Sequence, residues 1–330
     1  MRESLKSVRW LRVALFYALA FGWACLIAAG LYVLGQRDLS SGAASTIAQV
    51  ALASLYMPAP AAAAVLMRRL DHRPLHIRDA FTGAGRKLAR VAPLVVGFIV
   101  LAMFGMIVAS WLAGNVLAIS GAGKLVFSAD DVVANILVNR PSMDTAAVAQ
   151  IAAATPPMWG LAGITAVEAV IAALTVNALF AFGEEFGWRG WLADELRPLG
   201  AVWANLLIGV LWGVWHAPII LLGFNYGGSR LGVAFMVVLC IPLSFLLWRA
   251  REVTGTLYAP AAMHGALNAF AGFFLLVLVD PNPLLAAPIG LIGAAVIGVV
   301  AALLWLLPIK AVEAQELPAK RNQGRSFRSR

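Results

Sequence analysis

About eight stretches of this chain are long and apolar enough to cross a bilayer, and that repetition limits its fold more than any motif does. A spanning helix needs ~20 mostly apolar residues to cross a hydrocarbon core ~30 Å thick. Such stretches lie near 10 to 35, 43 to 67, 89 to 118, 158 to 184, 201 to 223, 231 to 248, 255 to 279 and 286 to 308. Runs of that length read as helices, so the expected fold is all-α, a polytopic membrane bundle of about eight transmembrane helices. Composition agrees, because 62% of the 330 residues are hydrophobic and only 12% are charged, against roughly a quarter charged in soluble domains.

A formal net charge of +9 would suit a nucleic-acid binder, but the placement of the basic residues argues against one. Of the 25 Lys and Arg, 21 fall in five segments: 1 to 12, 68 to 90, 183 to 200, 249 to 254, and 309 to the end. With eight spans those segments share one side of the membrane. Arg37, Lys124, Arg140 and Arg230 lie in or beside the loops of the other. This is the positive-inside distribution, and it predicts a multi-pass protein of the cell membrane with both termini cytoplasmic. The expected surroundings are therefore the lipid bilayer, with no nucleic-acid partner. Basic ends also suit an anionic leaflet.

Arg2, Lys6, Arg9 and Arg12 precede an apolar run reaching about Gly35. That is longer than the 7 to 15 residues of a signal-peptide core, so an uncleaved first span is expected. Cys25 and Cys240 both sit in apolar spans as small hydrophobes and imply neither a disulfide framework nor a thiolate metal site. The chain divides into three N-terminal spans (1 to 118) with a basic loop at 68 to 90, and an extracytoplasmic loop at 119 to 157. A five-helix core (158 to 308) and a basic tail (309 to 330), read as disordered, complete it. Residues 132 to 138 of the loop could form a short surface helix. Pro58 and Pro60 predict a kink or an early end in the second span. Gly209 with Gly213, and Gly290, Gly293 and Gly298, are read as places where helices approach closely.

Charged groups in hydrocarbon cost roughly 2.5 to 3.5 kcal/mol each on insertion scales, so each one inside a span is a functional candidate. The spans hold Glu168, Glu184, Glu185, Arg189, His216 and His264, with Asn205 and Asn268 as neutral members. His72 and His76 fall in the basic loop and read as solvated. In Gly183-Glu184-Glu185-Phe186-Gly187-Trp188-Arg189-Gly190, a helix places Glu185 and Arg189 at i and i+4, where they can pair. Glu184 is turned about 100° away, free to face a cavity and act as a base. Burial and nearby cations act on it in opposite senses, which leaves its ionisation open. Trp212 precedes His216 by one turn and can pack on the imidazole. His264 and Asn268 share a face at i and i+4, and both can donate to a developing oxyanion. Glu168 lies about four and a half turns from Glu184 and is read as structural, bonded to a neighbouring helix.

These residues resemble the CAAX-prenyl-protease and bacteriocin-processing (CPBP, or Abi) intramembrane proteases, which include the Ras-converting prenyl endopeptidase. The family pattern is E-E-x-x-x-R, F-x-x-x-H and H-x-x-x-N/D on three membrane helices. Here it reads Glu184-Glu185 to Arg189, Trp212 to His216, and His264 to Asn268, with Trp212 where the family usually has Phe. The resemblance covers roughly residues 158 to 279. It implies an endopeptidase acting on a membrane-associated protein or peptide, in which Glu184 and His216 activate water, His264 and Asn268 hold the oxyanion, and Glu185 and Arg189 support the site. Glu184, His216 and His264 are also the set that would hold a zinc ion if the family mechanism uses a metal. The sequence leaves metal use, substrate and oligomeric state open.

A transporter or proton relay is the rival from another class, since Glu and His inside a bundle serve those too. It lacks the matched pair of broken helices or internal repeat that such folds show. A catalytically silent immunity or scaffold protein of the same fold is the third reading. One tension concerns depth: His216 lies about 24 Å along the fifth span if that span starts at Gly200. Either the span starts late, after an amphipathic stretch at 191 to 199, or the cavity is tall. The late start is the expectation, because Asp194, Glu195 and Arg197 suit an interface.

Overall fold

The computed structural model describes residues 7–40, 46–74, 84–139 and 144–309. His76 and the tail at 320 to 330 lie outside them. The described residues form a helical bundle whose strands are a single two-residue antiparallel pair, β1 (Lys124–Leu125) with β2 (Leu278–Val279). All eight apolar stretches are helical. Six are long and apolar enough to span a membrane unaided. The fourth is broken, and the eighth, Leu291–Leu306, is a shorter helix of 16 residues.

In chain order the helices are α1 (Trp10–Val33), α2 (Thr46–Ala51), α3 (Ala59–Leu70), α4 (Ala84–Ser110), α5 (Ala129–Asn139), α6 (Thr145–Ala154), α7 (Met158–Ala173) and α8 (Val176–Glu185). There follow α9 (Ala193–Leu196), α10 (Ala201–Trp215), α11 (Ala217–Ile220), α12 (Leu231–Thr254), α13 (Tyr258–Val277) and α14 (Leu291–Leu306). The second span is α2, a π-helical turn at Leu52–Tyr56, and α3, which restarts at Pro58 and Pro60. Proline lacks the N–H that would continue the ladder, so the break falls where the sequence places it.

The described parts of the basic segments meet on one end of the bundle. Arg9 bonds Glu195 through Nε at 2.7 Å and pairs with Asp71 at 2.7 Å. Arg251 pairs with Asp194 at 2.9 Å, and Arg249 donates to the Ile309 carbonyl at 2.6 Å. The opposite loops also meet: Leu39 N–H bonds the Leu222 carbonyl, Asn282 N–H the Gly121 carbonyl, and Tyr226 Oη the Ile289 carbonyl. The long loop belongs to this second end. Its helix α5 is the expected short surface helix, exposing Asp131, Ala134 and Val138, and it is docked by its inner face: Val132 and Asn135 are buried, and Asn135 Nδ2 donates to the carbonyls of Leu276 and Leu278 at 3.0 Å each.

Glycine sets the helix spacing. A Cβ on Gly209 would lie 2.6 Å from Ile241 Cα, and one on Gly213 2.5 Å from Val237 Cα, so α10 and α12 touch backbone to backbone. Gly290 and Gly293 differ from expectation: they give room to the chain's own 284–288 turn.

Candidate active site

The break in the fourth span falls at Leu174 and Thr175, between α7 and α8. The polar groups freed there are stapled: Tyr258 Oη donates to the Leu174 carbonyl at 2.6 Å, and Thr175 Oγ1 to the Ile171 carbonyl at 2.6 Å. Asn177 Nδ2 then donates to the Gly265 carbonyl at 3.0 Å, and a Cβ on Gly265 would lie 2.8 Å from the Asn177 carbonyl carbon. The residue beside His264 is thus pressed onto α8.

Past Glu185 the backbone widens into a π-helical segment, Phe186–Leu192, every residue of which is buried. Such widenings recur at functional sites, because they re-aim side chains within an otherwise regular helix. Gly183 and Gly187 bracket the acidic pair and lie against the second span. A Cβ on Gly183 would sit 2.9 Å from Pro58 Cα, and one on Gly187 2.4 Å from Pro60 Cβ. The Gly-x-x-x-Gly spacing was readable in the sequence as a close-packing signal. Its partner, the Pro58–Pro60 turn, was not.

Glu184, Glu185, Arg189 and His264 are all buried, with Glu185 and Arg189 wholly so. Glu185 Oε1 accepts from Arg189 Nη1 at 3.0 Å, the expected i,i+4 pair, and also from His264 Nδ1 at 2.9 Å. One carboxylate oxygen therefore links two of the three motifs. The bond fixes the imidazole with its Nδ1 proton on Glu185 and its Nε2 free. Trp212 does more than pack on His216: its Nε1 donates to Glu184 Oε2 at 2.7 Å. Its ring lies edge-on to His264, with centroids 5.3 Å apart, and carries the Arg189 guanidinium 4.0 Å from its own centroid. His216 stands at the C-terminus of α10 and bonds the Trp212 carbonyl through Nδ1 at 2.9 Å, which again leaves Nε2 free.

Tyr56, which the sequence reading passed over, seals the far side of His216. Its hydroxyl donates to the Trp215 carbonyl at 2.7 Å and its ring lies 4.4 Å from the Trp215 ring. This carbonyl sits in the last turn of α10, where Pro218 interrupts the ladder. Tyrosine in an apolar span needs such a partner, but nothing local identifies which one.

A cavity of about 380 Å³ brings Glu184, Trp212, His216, His264 and Asn268 onto one wall, with Asn268 exposed to it. Most of the remaining lining is apolar, including Leu52, Met57, Leu239 and Leu243. The helix α10 begins at Ala201, directly after the 191 to 199 stretch, and runs unbroken to Trp215 with His216 at its C-terminal cap. Asn205 is structural, accepting from Ser244 Oγ at 2.9 Å and donating to the Ala201 carbonyl. Glu168 departs from expectation, for it is exposed on α7 rather than bonded to a neighbouring helix. As for a metal, no group of three or more His, Cys, Asp or Glu among the described residues could hold an ion, Glu184, His216 and His264 included. One oxygen of Glu184 and one nitrogen of each histidine are already committed to protein partners.

Residues 166–270, which carry all three motifs, match the family described as type II CAAX prenyl endopeptidase Rce1-like. The chain is also similar to CAAX prenyl protease 2 of Methanococcus maripaludis, being 39% identical over 44 residues. That stretch is 13% of this chain and spans 16% of the relative's length. The helical bundle and its apolar spans define a polytopic membrane protein, with Glu184 and His264 buried and His216 part-buried. Over residues 166–270, about a third of its length, the chain is similar to the type II CAAX prenyl endopeptidase family.

Proposed function

We propose that this chain is an intramembrane endopeptidase that hydrolyses a peptide bond of a membrane-associated protein or peptide. The observation that carries the reading is the shared cavity. Glu184, held by Trp212 through one oxygen, lines it together with His216 and His264, each bonded to the protein through Nδ1.

The steps follow from what each group has left to offer. Glu184 takes a proton from a water oriented by His216 Nε2, and the oxygen attacks the scissile carbonyl. Because its Nδ1–H is committed to Glu185, His264 can donate through Nε2 only as the imidazolium, which the Glu185 carboxylate stabilises. His264 and the Asn268 amide then hold the oxyanion. Glu184 returns its proton to the departing nitrogen, and the C–N bond breaks. Arg189 holds Glu185 in place, while Tyr56 positions the turn that carries His216. No step is routed through a metal. The protein would lie in the plasma membrane with both termini cytoplasmic, as the basic face requires.

The test compares the N- and C-termini of membrane proteins from cells carrying the wild-type chain or Glu184→Ala. At least one terminus should depend on Glu184, and His216→Ala and His264→Ala should lose it too while each variant still inserts. Unchanged termini in Glu184→Ala cells would remove the mechanism.

A further inference from the structure

Of the buried acidic pair, only Glu184 keeps an oxygen to work with. Its Oε2 accepts from Trp212 Nε1 at 2.7 Å, while its Oε1 bonds no described residue and keeps accessible surface in the wall of the cavity. Glu185 is the reverse case. Its Oε1 is taken by Arg189 and His264, and its Oε2 is sealed without a partner.

The indole that holds Glu184 is itself held. Trp212 is 1% exposed and packs against three other side chains of the site. The Arg189 guanidinium lies 4.0 Å from its centroid, the His264 ring meets it edge-on at 5.3 Å, and the His216 ring lies 6.0 Å away at a tilt. The next residue, Gly213, presses α10 onto α12, since a Cβ there would lie 2.5 Å from Val237 Cα. An indole N–H is a donor only and points one way, so a ring fixed this firmly also places the oxygen it binds.

Glu184 would have somewhere else to go. The charged groups that act on it are His264 and Arg189, cations in the proposed steps, and Glu185, a like charge. Released from the indole, the carboxylate would be drawn onto the His264 imidazolium, and that pairing would occupy the base and the oxyanion donor together. Phe, the usual residue of the family pattern here, supplies a ring but no donor.

Resting on the protease reading, we infer that Trp212 is a positioning residue for the base. Its N–H pins one oxygen of Glu184, holds the carboxylate off His264 and leaves Oε1 to take the proton of the attacking water. The chain thus depends at this position on a donor that Phe cannot replace.

The test removes the donor and keeps the ring. Trp212→Phe deletes the N–H with part of the ring, whereas β-(3-benzothienyl)alanine, placed at the same position by codon suppression, keeps the bicyclic shape with sulfur where the N–H was. The substrate is a peptide spanning a cut site found in the comparison of cellular termini, given to the full chain in liposomes. Both variants should lower kcat roughly 10- to 100-fold, the span expected for one hydrogen bond to a charged group, and leave KM within about twofold. Wild-type kcat in the benzothienyl variant, or a raised KM at unchanged kcat, would overturn the inference. In ¹⁵N-indole spectra of the full chain in detergent, the Trp212 signal is the one missing from Trp212→Phe. It should lie downfield of the signals of the exposed Trp159 and Trp203 and move upfield in Glu184→Ala. A signal that Glu184→Ala leaves in place would overturn the inference whatever becomes of the protease reading. Absence of any Glu184-dependent product would remove the protease reading alone, and the indole signal would still decide whether Trp212 holds Glu184.

Discussion

Replacing Glu185 with Gln isolates the bond that ties two of the three motifs together. Glu185 Oε1 accepts from both Arg189 Nη1 and His264 Nδ1, and Glu185 and Arg189 are fully buried. Removing the charge leaves a guanidinium in the interior that rests on the face of Trp212. Breaking a buried pair in this way costs about 3 to 5 kcal/mol. The remaining cation–π contact argues for the lower figure, about 3 kcal/mol, or roughly 150-fold in the unfolding equilibrium. Arg189→Met should cost a similar amount by stranding the carboxylate. The double variant Glu185→Gln/Arg189→Met has no stranded charge, so it should recover about 2 kcal/mol relative to the sum of the singles. Denaturant or thermal unfolding of the purified chains in mild detergent reads this coupling. Cleavage should stay lost in the double variant, because His264 still lacks the carboxylate that holds its proton. Additive losses would refute the claim that the pair is a buried, mutually dependent unit.

Gly187→Ala should destabilise the protein by about 1 to 3 kcal/mol through overpacking, since its Cβ would lie 2.4 Å from Pro60 Cβ. Gly163→Ala, with nothing within 4 Å, should be neutral or mildly stabilising in the same melt. On the basic face, burial works to raise the Asp71 carboxyl, but the hydrogen-bonded Arg9 guanidinium, with Arg12 and Arg73 near, holds it below the usual carboxylate range. A depressed folded value means this contribution is present above the unfolded pKa of ~3.9 and lost as pH falls below it. Melting temperature should therefore drop below about pH 4 in the wild type and less so in Asp71→Asn. Cleavage should survive a strong chelator, and the purified protein should carry well under one zinc per chain. Chelator-sensitive activity restored by zinc would contradict the metal-free steps.

Much of the architecture was legible because lipid leaves few options. Eight apolar runs became helices, and the basic residues predicted which ends would meet. Within the site, spacing announced what lies on one helix: the Glu185–Arg189 pair and the common face of His264 and Asn268. What spacing could not announce is which helix lies opposite. The Trp212 bond to Glu184 spans 28 residues, Glu185 to His264 spans 79, and Tyr56 to Trp215 spans 159. Trp212 was read as packing on His216 because that contact is local. The break at Leu174–Thr175 was missed because the run holds neither Pro nor a turn signal there, and the hydroxyl that takes up the freed Leu174 carbonyl comes from Tyr258, 84 residues on. Asp194 and Glu195, whose charges suggested an interface, pair with Arg251 and Arg9, which sequence separation hides. Glu168 was expected to find a partner on the ground of cost alone, and it does not.

The most direct test of the central claim uses purified wild-type chain in liposomes, with a peptide spanning a cut site found in the comparison of cellular termini. In ¹⁸O-labelled water the wild type should release a fragment whose new carboxyl carries the label, and Glu184→Ala should release none. Cleavage by Glu184→Ala, or an unlabelled carboxyl from the wild type, would contradict water activation at this site.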